Sequence, residues 1–197
     1  ILQNYNDAKL VICGKGGMID ELRTEVHNLG IDNKVYFAGY CDSKKVPKMY
    51  KCADVAVFPS TYEPFGIVAL EAMLAGVPTV VSDVGGLNEI INHGVTGMKS
   101  YAGNSNSIAD SVLSLLFDKK LCDTVSKNAI KEVKELYNWN KIAQDTHYVY
   151  EQAISQTEEE KHAEELVQEK TNKATKVLKT QKEISNLLAF HKRNAFA

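Results

Sequence analysis

The 197-residue sequence has no surplus of basic charge: 23 Lys and Arg face 25 Asp and Glu, a net charge of −2. A nucleic-acid-binding domain needs a basic stripe to displace counterions from phosphates, so that class is set aside. Long apolar runs are missing too. The longest, such as Ile67 to Leu70 and Val77 to Val81, fall far short of the ~18 residues that mark a membrane span. Ile1 opens no basic segment followed by an apolar one, the pattern of a secretory leader. The four cysteines (Cys13, Cys41, Cys52, Cys122) form no C-x-x-C pair, which argues against zinc. They read instead as small buried thiols in a reducing, cytoplasmic setting. With only four prolines, and with 44% hydrophobic and 24% charged residues, the composition is that of a folded globular chain.

What is present is an alternation. Four β-branched runs, Lys9–Gly14, Lys34–Gly39, Val55–Ser60 and Thr79–Asp83, show no polar alternation, as expected of parallel strands covered on both faces. Helical patterns lie between them at Met18–Leu29, Ser43–Cys52, Gly66–Ala75 and Leu87–Ile91. Ser43, with Pro47 close behind, reads as a helix start, and Gly30 and Gly76 read as helix stops. Strand, helix and strand at this rhythm predict βαβ units with right-handed crossovers, a doubly wound α/β sheet. Further helices are expected at Ser105–Leu116, Lys119–Leu136 and from Trp139 to about Ser155, with Trp139 as a packing anchor. Beyond Gln156 the chain turns to Glu, Lys and Gln without glycine or proline. Residues 1–155 therefore read as one domain and 156–197 as a charged helical tail. Ala163, Val167, Ala174, Val177, Ile184 and Leu188 keep a heptad-like spacing, broken at Lys170 and Gln181, so the tail reads as a solvated helix or one that meets a partner helix.

Chemistry concentrates in Pro59–Met73. This stretch starts at the carboxyl end of a predicted strand, where open α/β sheets bind ligands. Pro64 disfavours helix at Glu63, so the helix begins after it. Gly66 then falls in the first helical turn, where free N–H groups attract anions and no side chain blocks a diphosphate. Glu71 follows in an apolar helix of Val68, Leu70, Ala72, Met73 and Leu74, and is expected to be mostly buried, hence in need of partners. Its carboxylate can accept both hydrogen bonds of a ribose diol. Glu63 stands ahead of the helix on the ligand side. The plain alternative is that both glutamates are ordinary structural or surface residues.

The Glu63/Glu71 pair, with Pro-Phe-Gly-Ile-Val between, resembles the paired-glutamate motif of retaining glycosyltransferases of family 4, which have the GT-B fold. Asp83-Val-Gly-Gly-Leu-Asn-Glu89, His93-Gly-Val-Thr-Gly97, Asn138-Trp139 and Val35-Tyr-Phe-Ala-Gly39 resemble the flanking motifs in order, over about Lys9 to Ile154. The resemblance implies a Rossmann-like, donor-binding half of a GT-B enzyme of carbohydrate metabolism, lacking its first strand. Glu63 would be the catalytic residue, holding donor-sugar hydroxyls near the anomeric carbon. The backbone of Gly66, Ile67 and Val68, beside Phe65, would hold the distal phosphate, and Glu71 the ribose. Tyr40 and Cys41 would pack the base, and Gly14 and Gly16 would turn over the phosphates. Ile19 stands where G-x-G-x-x-G would need a third glycine, so Lys15 reads as solvated.

The family's upstream arginine and lysine and its N-terminal acceptor domain are not in this sequence, so the chain is expected to be inactive alone and to expose sheet edges. The implied partner is a UDP-, ADP- or GDP-linked sugar, with no metal and no cofactor. Peripheral membrane association stays open. Two rivals remain: a nucleotide-sugar epimerase of the same fold, and a non-catalytic nucleotide-sugar-binding or scaffolding module working through its tail. Asp83 reads as an Asx turn and His93 as structural.

Overall fold

The computed structural model describes the backbone of residues 1–194 and the side chains of residues 1–173 and 176. Short parallel strands alternate with helices, as the apolar runs predict: β1 (Leu10–Cys13), α1 (Ile19–Asn28), β2 (Val35–Gly39), α2 (Val46–Cys52), β3 (Ala56–Phe58), α3 (Ile67–Ala75), β4 (Thr79–Ser82), α4 (Gly85–Ile90), β5 (Met98–Ser100), α5 (Ser105–Phe117), α6 (Lys119–Leu136) and α7 (Trp139–Asn194). All strand pairs are parallel, in two sheets ordered β1-β2 and β3-β4-β5. Among the described residues no strand bridges β1 to β3, so the sheet is open at that point.

The core lies around β4, whose four residues are all buried. Successive side chains point to opposite faces. Val81 packs with Ala69, Met73, Leu87, Ile90, Ala129 and Val133, while Val80 packs with Met98, Val112, Leu115 and Val125. Helices thus cover both faces, the condition for a continuous apolar strand. β1 and β2 depart from that expectation. Leu10 is 51% and Tyr36 68% exposed, and neither α1 nor α2 fully buries a residue. A two-stranded parallel sheet has too few neighbours to close both of its faces.

Local chemistry moves some boundaries. α2 begins at Val46 rather than at Ser43, because the Asp42 carboxylate accepts the N–H groups of Lys44 (3.0 Å) and Lys45 (2.9 Å) and closes the preceding turn. β5 escapes the sequence reading: it is three residues long with Lys99 at its centre. Gly30 and Gly76 end α1 and α3 with positive φ, as read. The cysteines are not the buried thiols expected: Cys13 and Cys52 are exposed, and Cys41 and Cys122 half-buried.

Compact packing in the first unit ends at Asn138. The second is α7, a 56-residue helix that runs unbroken through the compositional boundary at 155/156. Its described side chains are exposed, and i,i+4 pairs such as Lys141–Asp145 (3.1 Å) and Glu169–Lys173 (2.6 Å) support it at ~0.2–0.5 kcal/mol each. Trp139 is 83% exposed rather than a packing anchor. Of the heptad-like positions, Ala163 and Val167 are exposed, and the side chains of Ala174, Val177, Ile184 and Leu188 lie outside the described ones. Among the described residues no helix is long and apolar enough to cross a membrane.

Candidate active site

The site forms at the carboxyl ends of the strands. After β3 the chain runs through the 59–66 loop into α3, whose N-cap is Gly66 at φ +100°. The helix therefore starts one residue later than the sequence suggests, and Gly66 supplies the left-handed turn that reverses the chain into it. Only glycine serves here: an added Cβ would stand 2.6 Å from Leu87 Cδ2, besides requiring a strained backbone. At the helix start, the N–H groups of Ile67 and Val68 have no acceptor within their own helix.

Two glycines of α4 hold this loop from below. A Cβ on Gly86 would come within 2.5 Å of Phe65 Cα and 2.7 Å of its carbonyl carbon, and one on Gly85 would strike the Glu63 carbonyl. The missing side chains let the loop rest directly on α4, and the Gly86 N–H donates to the Glu63 carbonyl at 3.0 Å. Glu63, half-buried, is thereby placed by the backbone. Asp83, just before α4, does not form the expected Asx turn. Its carboxylate faces Lys99 Nζ at 3.7 Å, and that ammonium also donates to the Asn88 carbonyl (2.8 Å) and side chain. The β5 lysine thus fastens the α4 segment to the sheet. His93 is structural as read: its Nδ1 accepts the Lys99 N–H at 2.9 Å.

Glu71 is exposed, which corrects the expectation of burial. α3 turns Ala69, Ala72 and Met73 into the core and leaves Ile67, Val68 and Leu74 exposed. Its apolar sequence therefore does not bury every face, and Glu71 lies on the open one, accessible to a ligand. Beside it is Tyr50 of α2, absent from the sequence reading. The Tyr50 hydroxyl donates to the Val68 carbonyl at 3.2 Å, and its ring meets Phe58 edge-on at 6.5 Å. Burial, then the charges of Glu71 and Cys13, push the phenol up to about 12.

The second half of the site is the pair of turns after β1 and β2. Gly14 (φ +139°) donates its N–H to the Gly39 carbonyl at 2.8 Å, and a Cβ on Gly14, Gly16 or Gly17 would meet open space. Lys15 does not simply extend into solvent: its ammonium lies 5.6 Å from the Tyr40 ring centroid. Tyr40 is 65% exposed and free to stack, whereas Cys41 turns inward, with Sγ 3.3 Å from Met49 Sδ. Met49 and Tyr50, consecutive in α2, tie this half to α3. The predicted residues thus fall into two groups, Gly14/Gly16/Tyr40/Cys41 and Glu63/Phe65/Gly66/Ile67/Val68/Glu71, joined by a short helix. No three His, Cys, Asp or Glu side chains gather as a metal site among the described residues.

Comparison with known proteins places the α/β unit in a family. The model of the family "Glycosyl transferases group 1" matches residues 1–132. Over 154 residues the chain is 50% identical to an uncharacterized glycosyltransferase of Methanocaldococcus jannaschii, covering 78% of this chain and 39% of that protein. It is 35% identical over 144 residues to the N-acetyl-alpha-D-glucosaminyl L-malate synthase of Bacillus anthracis, covering 73% of this chain and 37% of the other. Among solved structures, Anabaena HepE in complex with UDP superposes with a TM-score of 0.69 at 28% identity, over 73% of this chain and 40% of that one. The chain thus spans about two-fifths of the length of the relatives it matches. With the family model covering most of the strand–helix unit, the chain belongs to the group 1 glycosyltransferases, and its α/β unit is a domain of the GT-B fold.

Proposed function

We propose that this chain supplies the nucleotide-sugar-binding half of a retaining, family 4 hexosyltransferase. The observation that carries the reading is the loop from Glu63 to Gly66, seated on Gly85 and Gly86, with exposed Glu71 on the helix it opens. The diphosphate of the donor lies against the N–H groups of Ile67 and Val68, where the helix dipole favours negative charge. That charge grows as the sugar departs, so fixed N–H groups stabilise the leaving group without reorganising. This reading assigns no step to a divalent metal. Glu71 accepts the ribose hydroxyls, Tyr40 offers a face to the base, and the Gly14–Gly16 turn lets the phosphates approach the backbone. Glu63 receives hydroxyls of the sugar and favours the positive charge that develops at the anomeric carbon. The acceptor is bound by a further domain of the protein, which completes transfer only when both are in register.

The structure of the Anabaena protein is a complex with UDP, which supports a nucleoside-diphosphate partner here. Calorimetric titration of UDP, ADP and GDP into the protein that carries this chain tests the reading. Binding of one nucleotide in preference to the others, lost in Glu71→Ala, is the expected result. Nucleotide binding unchanged in Glu71→Ala, or none by the folded protein, overturns it.

A further inference from the structure

Three sulfur atoms converge where β1, the turn after β2 and α2 meet. Met49 Sδ lies 3.3 Å from Cys41 Sγ and 3.8 Å from Cys13 Sγ. Burial first, and then the neighbouring Cys41, raise the Cys13 thiol above its ordinary value. The register of the sheet builds this cluster: Cys13 pairs with Gly39, and Cys41 follows two residues later, its thiol also reaching the Gly39 carbonyl at 3.7 Å. Cys13 is exposed, so the cluster has an entry path.

From this arrangement we propose that Cys13, Cys41 and Met49 form a three-sulfur site for a soft monovalent metal ion, Cu(I) in chemical class. Three sulfurs placed ~2.3 Å from a central ion lie about 4.0 Å apart in a trigonal array. The observed edges of 3.3 and 3.8 Å need to open by about 0.7 and 0.2 Å (4.0 − 3.3 and 4.0 − 3.8), and the flexible Met side chain, common to both, can supply that movement. The donor set selects the ion. Two thiolates and a thioether suit Cu(I), whereas harder ions want imidazole or carboxylate, and no such cluster is present among the described residues. Binding displaces one proton from each thiol: two S–H bonds break, two thiolate–metal bonds form, the thioether donates a lone pair, and two protons leave to solvent. No oxidation state changes. The bound ion clips β1, the β2–α2 turn and α2 together, in a part of the α/β unit where these elements bury no residue fully.

The test uses the protein that carries this chain, kept anaerobic and reduced, with Cu(I) supplied as its bicinchoninate complex. The folded protein is expected to take one Cu(I) per chain, seen as bleaching of the complex, with release of two protons. Uptake weakens by roughly 100-fold or more in Cys13→Ser and in Cys41→Ser, since losing a ligand exceeds the ~10–100-fold cost of disturbing a ligand's supporting partner. Met49→Leu keeps the packing volume and weakens uptake less, while Cys52→Ser and Cys122→Ser bind as the parent does. Circular dichroism of each variant separates lost ligation from lost folding. Should Cys13→Ser fail to fold, titration of Met49→Leu and Cys52→Ser still decides the matter. Uptake unchanged in folded Cys13→Ser or Cys41→Ser, equal weakening in Cys52→Ser and Met49→Leu, or no uptake by the reduced parent would each overturn the site.

Discussion

Replacing Gly86 by alanine tests whether the Glu63 loop is positioned by backbone contact with α4. Gly86 is buried and its φ is not in the left-handed region, so the substitution introduces one methyl group without a backbone penalty. That methyl would stand 2.5 Å from Phe65 Cα and 2.7 Å from its carbonyl carbon, where ordinary contact begins at 3.4 Å. The loop must retreat by 0.9 and 0.7 Å at these two atoms (3.4 − 2.5 and 3.4 − 2.7). A shift of that size takes the 3.0 Å bond from Gly86 N–H to Glu63 out of hydrogen-bonding range. Overpacking costs ~1–3 kcal/mol and a buried donor left without a partner ~1–3 kcal/mol, so the total is ~2–6 kcal/mol. Moving Glu63 by nearly 1 Å should also cost on the order of 100-fold in transfer rate. Denaturant titration gives the first quantity and turnover of the complete protein the second. Gly17→Ala is the control. Its methyl meets nothing within 4 Å and its φ is not positive, so stability should hold or rise by ~0.4–1 kcal/mol. A Gly86→Ala protein that loses less than ~1 kcal/mol and turns over normally would refute the seating argument.

Three other outcomes follow from the site and the core. Glu71→Ala should chiefly weaken nucleotide binding and Glu63→Ala chiefly lower turnover; equal, small effects from both, in calorimetry and in rate assays, would count against their separate roles. Tyr50 is an acid whose value is raised in the fold to about 12, so its contribution to stability is complete below pH ~10 and is lost as pH climbs through about 12. For this half-buried group, solvent screening reduces the gross ~2.7 kcal/mol to ~1 kcal/mol, a loss between pH 10 and 12 that the parent should show and Tyr50→Phe should not. At the end of β4 the Ser82 hydroxyl is fully buried without a partner. Ser82→Ala should raise the denaturation midpoint by ~1 kcal/mol equivalent, and a clear loss of stability would show that the hydroxyl is satisfied.

The parts of this molecule that were legible in sequence are those where a single local rule decides. Runs such as Leu-Val-Ile-Cys and Thr-Val-Val-Ser announce strands, glycine at positions 30 and 76 ends helices, and Pro64 keeps Glu63 out of α3. Where two rules compete, reading along the chain misleads. α3 is apolar enough to suggest complete burial, but a helix has more faces than the single sheet and α6 can cover, so Glu71 and Leu74 stay exposed. β5 carries a lysine at its centre and is strand only because β4 lies alongside it. The pairings Met49–Cys41, Tyr50–Val68 and Gly86–Glu63 join residues 8, 18 and 23 positions apart, beyond any helical or strand period. Yet one of them left a trace. Two consecutive glycines straight after a strand are poor helix formers, and their presence at the start of α4 makes sense only if something must approach the helix closely. What approaches is the backbone of the glutamate loop. The same two residues that weaken α4 as a helix therefore make it a platform for the site, and a search for paired glycines facing a strand-end loop would find that platform without a structure.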